Sequence, residues 1–473
     1  MKESNNSTET PKIDLFGSVS RGAISFSLNN FAVKFLVAIN TLILLLNLSV
    51  YQYGVYKLVF SIYLVARGIL LPGLDSLVLN EYIAKRQRGD FSWGNRLFYD
   101  FICLRFTLSL MAFTVFFVGS QMIAERYSPG VGIFLRPISF LLLLYPLSSL
   151  VEIVLRSTLN FWMSSFISIL HELVKLLLIV GIVLSSRKLD ISTTILITVV
   201  ATAISNALLI FYIVARYRSI LIEAWISRHL GGGVMWNLLR SYGKWAVIKG
   251  YVASLPDSVR LWLIKVVIST EAVAIFSLAN SLVGSVRKLI PTQMLSSLVP
   301  RFMGLRVLGY IYFRLTKYYI WLSTLMLIAS FVLLPPLVVV MFPHYAGSLA
   351  YFKLLVFSLL LGGMALNKQI VYSARRHKFL FLLPFVELII LVGLGPWMAS
   401  RWGLYGVSAN FLISETAVFL IVWYFLWKIM PSLSDFSVYD FFEIDDQDKR
   451  NISRLIASLR ERYKRVISVV LRI

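Results

Sequence analysis

The side chains able to do chemistry in this chain are charges set inside apolar runs: Lys34, Arg67, Lys249, Asp257, Arg260, Arg287, Glu387 and Glu415. A charge near the centre of a bilayer costs roughly 2.5–3.5 kcal/mol even on lenient insertion scales, so such residues face a cavity or a partner. The densest set lies in KWAVIKGYVASLPDSVRLWLIKVVIS, residues 244–269. Lys249 and Arg260 return to nearly the same helix face, because eleven steps of 100° end about 20° from where they began. Asp257 sits one turn before Arg260 and can pair with it, whereas Lys265 points the other way and can snorkel from the helix end. A cationic stripe, interrupted by Pro256, therefore needs something wet or anionic opposite it. Lys and Arg donors in a sheltered cavity replace the hydration of a bound anion. Glu387 and Glu415 have no basic residue within a turn on their own helices. Such a carboxyl stays protonated until water or a cation reaches it, which makes both candidates for ion coupling; the plainer reading is a neutral acid hydrogen-bonded across helices.

The alternative for every cation is local pairing. Asp75 lies two turns from Arg67, and only one of the adjacent Arg287 and Lys288 can face inward. Glu152 with Arg156, and His171 with Glu172 and Lys175, have the spacing of structural clusters; Asp100 and Arg105 read as interface or interhelical groups. His344 falls in a short loop and reads as incidental. There is no phosphate-binding P-loop, and four His with one Cys leave no metal-ligand cluster, so no cofactor and no direct use of ATP are expected.

The elements that position these charges follow from composition. Of 473 residues, 58% are hydrophobic and only 15% charged, against about 25% charged in soluble domains; mean hydropathy is +0.78. Apolar spans read at about 22–48, 55–80, 97–123, 137–159, 163–185, 191–215, 244–268, 271–299, 318–342, 347–372, 379–399 and 403–429. The fold expected is an all-α polytopic membrane protein of about twelve transmembrane helices. Lys and Arg crowd the even-numbered connections, as in Lys85, Arg86, Arg88, Arg216, Arg218, Arg301, Arg306, Arg375 and Arg376, which puts both termini in the cytoplasm. That retention explains the net charge of +23 better than nucleic-acid binding, for which no soluble domain exists. The single Cys103 excludes an intrachain disulfide.

The longest inner connection follows the sixth span and divides the chain. We expect a cytoplasmic tail at 1–20 with no signal peptide, a six-helix lobe at 21–215, a linker at 216–243 and a second six-helix lobe at 244–430. Residues 431–473 read as an acidic connector and then a basic amphipathic helix, Ile452 to Val470, lying on the anionic inner membrane surface.

Several stretches are similar to a known family in order and spacing. Tyr51-Gln52-Tyr53-Gly54-Val55-Tyr56 opens the second span; Leu71-Pro72-Gly73-Leu74-Asp75 and Asn80-Glu81-Tyr82-Ile83-Ala84 follow it. Glu271-Ala272-Val273-Ala274-Ile275-Phe276, Met341-Phe342-Pro343-His344-Tyr345-Ala346 and Gly403-Leu404-Tyr405-Gly406-Val407-Ser408-Ala409 recur in the second half. Over about residues 15–430 the chain resembles the polysaccharide flippases of the multidrug/oligosaccharidyl-lipid/polysaccharide (MOP) superfamily, the Wzx-type exporters. Ala274 and Phe276 stand where the family pattern has Gly and Tyr, as in a divergent member.

The resemblance implies two MATE/MOP-like lobes around a cationic cavity that opens alternately to each side. It implies a flippase of a bacterial or archaeal cytoplasmic membrane, carrying an isoprenoid-pyrophosphate-linked oligosaccharide to the outer leaflet for surface polysaccharide such as O-antigen or exopolysaccharide. Substrate contacts then fall to Arg67, Arg260, Lys34, Lys249 and Arg287. Partners would be that glycan, membrane lipid, and polymerase and assembly proteins, with the carrier itself a monomer and not an enzyme. A MATE-like drug antiporter is the alternative; it calls for acidic residues in the first lobe, where this chain has Lys34 and Arg67. A membrane-embedded polymerase or ligase needs a long outer loop, and none is present. A secondary transporter of another twelve-helix fold shares the topology and differs only in these motifs.

Overall fold

The computed structural model describes residues 32–71, 73–127, 129–158, 160–185, 189–229, 233–240, 244–290, 308–362 and 377–429, with short pieces at 367–368, 371, 439–441, 443, 445–446 and 449. The expected tail at 1–20 and the amphipathic helix at 452–470 lie outside the described residues.

Helices begin where side chains cap them. Ser49 opens α2 (Val50–Gly68): its Oγ accepts from the Gln52 amide at 3.2 Å, and the Gln52 side chain accepts from the Ser49 amide at 3.0 Å. This reciprocal box satisfies two amides that have no partner within the helix. Asn160, Asp190 and Ser269 each accept one such amide, from Met163, Thr193 and Ala272, to open α6 (Phe161–Leu184), α7 (Ile191–Ile226) and α10 (Thr270–Leu289). The remaining elements are α1 (Ala32–Asn47), α3 (Leu74–Gln87), α4 (Phe91–Tyr127), α5 (Pro129–Ser157), α8 (Val234–Leu238), α9 (Lys244–Val267) and α11 (Leu308–Met341). The short α12 (Ser348–Leu355) and α13 (Ser358–Leu361) come next. The last, α14 (His377–Ile429), folds back on itself at Gly403, whose φ of 56° is a left-handed conformation that glycine adopts without penalty.

Eleven of the twelve apolar spans correspond, over their described residues, to a helix or a limb of one; the tenth, 347–372, holds the two short helices α12 and α13 in its described part. The described residues include seven helices long and apolar enough to cross a membrane. Two boundaries also differ from expectation. The second span stops at Gly68, because Leu71 and Gly73 turn with positive φ, and its remainder becomes the separate polar helix α3. The linker expected at 216–243 begins as helix: α7 runs past Arg216 and Arg218 to Ile226, with one non-helical residue at Tyr217. The apolar window ends there, but the backbone hydrogen bonds continue.

In the first half, α5 is central, packing against α2, α4 and α7; in the second, α9 and α10 pack against α14 and α12. The halves meet where α2 lies between α9 and α10. Ser258 Oγ donates to the Ser61 carbonyl at 3.1 Å, and Trp262 Nε1 donates to Ser61 Oγ at 2.8 Å. Near the Ser49 end of α2, Gly54 lets the backbone touch the Thr270 carbonyl, where any Cβ would collide. The Tyr345 hydroxyl donates to the Leu48 carbonyl at 3.2 Å, and its ring meets Tyr53 edge-on at 6.0 Å.

Candidate functional site

One face of α2 carries Tyr53, Tyr56, Phe60 and Tyr63, with successive ring centroids 6.2, 4.6 and 6.3 Å apart. Lys57 belongs to the same region. Its ammonium lies 5.2 Å from the Tyr53 ring centroid and within electrostatic reach of Lys175 on α6. The Tyr53 hydroxyl in turn approaches Ser281 of α10, so these cations border the contact between the two halves. Lys57 is two turns into α2, and Lys175 is about two and a half turns from the Leu184 end of α6. Among the described residues, no carboxylate comes within ion-pair distance of either. Glu172 is engaged elsewhere, accepting from Asn40 Nδ2 at 2.8 Å and lying 4.0 Å from His171. Two ammonium groups within electrostatic reach of each other in an apolar bundle raise the local potential and favour an anion nearby.

Arg67, on the same helix, is exposed; its guanidinium lies 4.9 Å from the Tyr145 ring centroid and beside the Tyr63 hydroxyl. Asp75 is not its partner. Asp75 Oδ2 accepts from Arg105, 1% exposed, at 2.6 Å and from the Tyr145 hydroxyl at 3.4 Å, and the Ser149 hydroxyl donates to the other oxygen. Asp100 pairs instead with Arg96 at 2.9 Å. Among the described residues, Arg67 thus keeps aromatic neighbours and an exposed flank. Lys34 Nζ donates to the Lys288 carbonyl at 3.0 Å, bridging α1 to the last turn of α10.

The stripe on α9 faces the other way. Tyr251, Ser258 and Trp262 meet α2, and Arg260 is half a revolution from Tyr251. It is 1% exposed: Nη1 donates to Asp257 at 3.1 Å, Nη2 to Glu387 at 3.3 Å, and the guanidinium stacks 4.6 Å from the Phe411 ring centroid. Arg287 donates to Glu415 at 3.4 Å and to Ser358 Oγ at 2.8 Å. Lys249 lines a cavity of about 240 Å³ with Lys368 and Glu387. Glu387 and Glu415, without a cation within a turn along α14, each receive an arginine from a neighbouring helix. The Asp257–Arg260 pairing and the common face of Lys249 and Arg260 match the helical arithmetic. The structure brings Arg260, Lys249, Arg287, Glu387 and Glu415 together in the second half, and leaves Arg67 and Lys34 at separate points of the first.

Lys57 and Lys175 were not singled out by sequence reasoning. An apolar span starting at 55 makes Lys57 a residue at the membrane surface. The Ser49–Gln52 pair is the signal that moves the helix start to Val50 and puts Lys57 two turns deep. Lys175, three residues from Glu172, reads as locally paired, but Asn40 of α1 engages that carboxylate.

No protein-family model and no curated protein sequence matches this chain. Solved structures do. An inward-facing multidrug-resistance MATE family transporter of the MOP superfamily aligns at a TM-score of 0.71 and 11% identity, over 87% of this chain and all of that one. A MOP superfamily transporter from Pyrococcus furiosus, described as having a binding pocket of reversed polarity that suggests a different function, aligns at 0.64 and 11% identity, over 88% and 97%. A mutant of the Vibrio cholerae MATE transporter VcmN aligns at 0.61 and 15% identity, over 88% and 98%. The chain therefore has the two-lobed helical fold of MATE transporters of the MOP superfamily.

Proposed function

We propose that this protein is a lipid flippase of a bacterial or archaeal cytoplasmic membrane, moving an isoprenoid-pyrophosphate-linked oligosaccharide from the cytoplasmic to the outer leaflet by alternating access. One observation carries the reading: Lys57 and Lys175 lie within electrostatic reach of each other beside the lobe contact, with no carboxylate within ion-pair distance of either among the described residues. A pyrophosphate carries about two negative charges and suits two ammonium donors, each worth about 1.5–3 kcal/mol as a charged hydrogen bond. Arg67 and Lys34 supply further positive charge along the path, and the rings of α2 offer faces for sugar stacking. An organic cation would be repelled by the same groups.

The experiment locates lipid-linked glycan by leaflet in cells depleted of the protein. The proposal expects inner-leaflet accumulation, reversed by wild type but not by a Lys57→Met/Lys175→Met double variant present in the membrane at equal level. The fold likeness to multidrug transporters favours one rival, a drug antiporter. Under that reading glycan distribution is unchanged and depletion raises sensitivity to organic cations.

A further inference from the structure

The end of α3, the start of α4 and the end of α7 meet around an open pocket of about 430 Å³, whose walls include Arg86, Phe91, Ser92, Asn95, Glu223 and Ile226. The pocket holds two opposite charges, and each is fixed by a third group. Arg86 Nη1 donates to the Tyr82 hydroxyl at 2.5 Å, and the guanidinium lies 5.4 Å from the ring centroids of both Tyr82 and Phe91. Tyr82 is itself buried, packed against Phe98. On the other wall, the buried Asn95 donates from Nδ2 to Glu223 Oε2 at 3.2 Å. The direct contact between the two charges is loose: Arg86 Nη2 stands 3.9 Å from that same carboxylate oxygen, and both side chains are partly exposed. An exposed pair of this kind adds little stability, so a ligand that engages the two charges separately gives up little. Tyr82 and Asn95 keep both charges in place whether or not they touch.

The Lys and Arg residues of these connections put this end of the bundle at the inner membrane surface. One side of the pocket is apolar and open: Phe91 and Ile226 are exposed, and Ile222, one turn before Ile226, continues the same exposed face of α7. A cation and a carboxylate in one pocket, beside an exposed apolar face, complement a zwitterionic headgroup that carries acyl chains. We propose that this pocket binds the phosphoethanolamine headgroup of an aminophospholipid, with its phosphate on Arg86 and Ser92 and its ammonium on Glu223. The acyl chains then run along Phe91, Ile226 and Ile222. A primary ammonium offers three donors to the carboxylate, whereas a trimethylated one offers none. An anionic headgroup without an ammonium leaves Glu223 facing a like charge. The site uses neither α2 nor α6, so it is distinct from the Lys57–Lys175 site and does not depend on what the protein carries.

The test uses the delipidated full-length protein in detergent, with thermal unfolding followed as short-chain phosphatidylethanolamine, phosphatidylcholine or phosphatidylglycerol is added. A saturable rise in Tm is expected with phosphatidylethanolamine, half-complete at a concentration about tenfold or more below that needed for the other two. Glu223→Gln keeps an acceptor for Asn95 and unfolds near wild type without lipid, but it loses the preference among the three. Arg86→Met weakens the response to all of them. Water-soluble glycerophosphoethanolamine, which has the headgroup without the chains, gives no rise over the same range. The Lys57→Met/Lys175→Met variant responds as wild type does. The proposal is overturned if wild type does not distinguish the three lipids, or if its preference survives Glu223→Gln. It is equally overturned by an unchanged response in Arg86→Met, by a response lost in the Lys57/Lys175 variant, or by glycerophosphoethanolamine acting as well as the lipid.

Discussion

Replacing Asp75 by alanine removes the one carboxylate among the described residues that reaches Arg105. The guanidinium is 1% exposed, its ion pair is 2.6 Å long, and the Tyr145 and Ser149 hydroxyls converge on the same carboxylate. Arg105 cannot neutralise itself by losing a proton, and its Nε and Nη1 already lack partners. Breaking a buried pair from one side costs about 3–5 kcal/mol, most of it the stranded charge. Removing both charges by Asp75→Ala/Arg105→Met strands nothing, so the double variant should recover much of the loss, with a coupling of about 2–3 kcal/mol. The assay is reversible unfolding in mixed micelles titrated with dodecyl sulfate, followed by far-ultraviolet circular dichroism. A single variant within about 1 kcal/mol of wild type, or a double variant as damaged as the sum of the two singles, refutes the reasoning.

Three further substitutions test other contacts. Gly54→Val cannot fit against the Thr270 carbonyl; in a Cys103→Ser background it should speed thiol labelling of Tyr53→Cys, whereas unchanged labelling means the two helices do not part there. Trp262→Phe keeps the ring but loses the 2.8 Å bond to Ser61, costing about 1 kcal/mol in the same unfolding assay. Asp190→Ala removes the cap of α7, worth about 1 kcal/mol at neutral pH. The Thr193 side chain and amide hold the Asp190 carboxyl below its ordinary value, so its contribution is present above about pH 4 and lost as pH falls through the folded value. The deficit of the variant should therefore shrink in acid; a constant deficit from pH 7 to acid would contradict the capping account.

The twelve spans were legible because about 20 apolar residues are needed to cross a bilayer, and that requirement is written in composition. Their ends were not, because helical hydrogen bonding ignores hydropathy: α7 continues through Arg216 and Arg218, and the second span breaks at Leu71 for a backbone reason. The same limit governs the charges. Helical arithmetic put Lys249 and Arg260 on one face and paired Arg260 with Asp257, but it cannot say what that face meets. Glu387 is 127 residues away along the chain and Glu415 is brought to Arg287 across a similar distance. Both look unpartnered until tertiary packing supplies the arginines. Lys57 was hidden by a helix start placed five residues late, and Lys175 by a neighbour whose carboxylate Asn40 had taken.

The close packing of α2 on α9, from Ser61 against Trp262 and Ser258 to Gly68 against Tyr251, has a mechanical consequence. Two helices held along that line can turn about it far more easily than they can slide or separate, so the line works as the spine of a book and the two halves as its covers. Points far from a spine sweep through large arcs, while points beside it scarcely move. Lys57 is carried on α2 itself, close to that axis. Under the proposed transport cycle, an anion held there would keep its distances while the covers swing, and the work of opening would be spent at the outer edges and not on the grip.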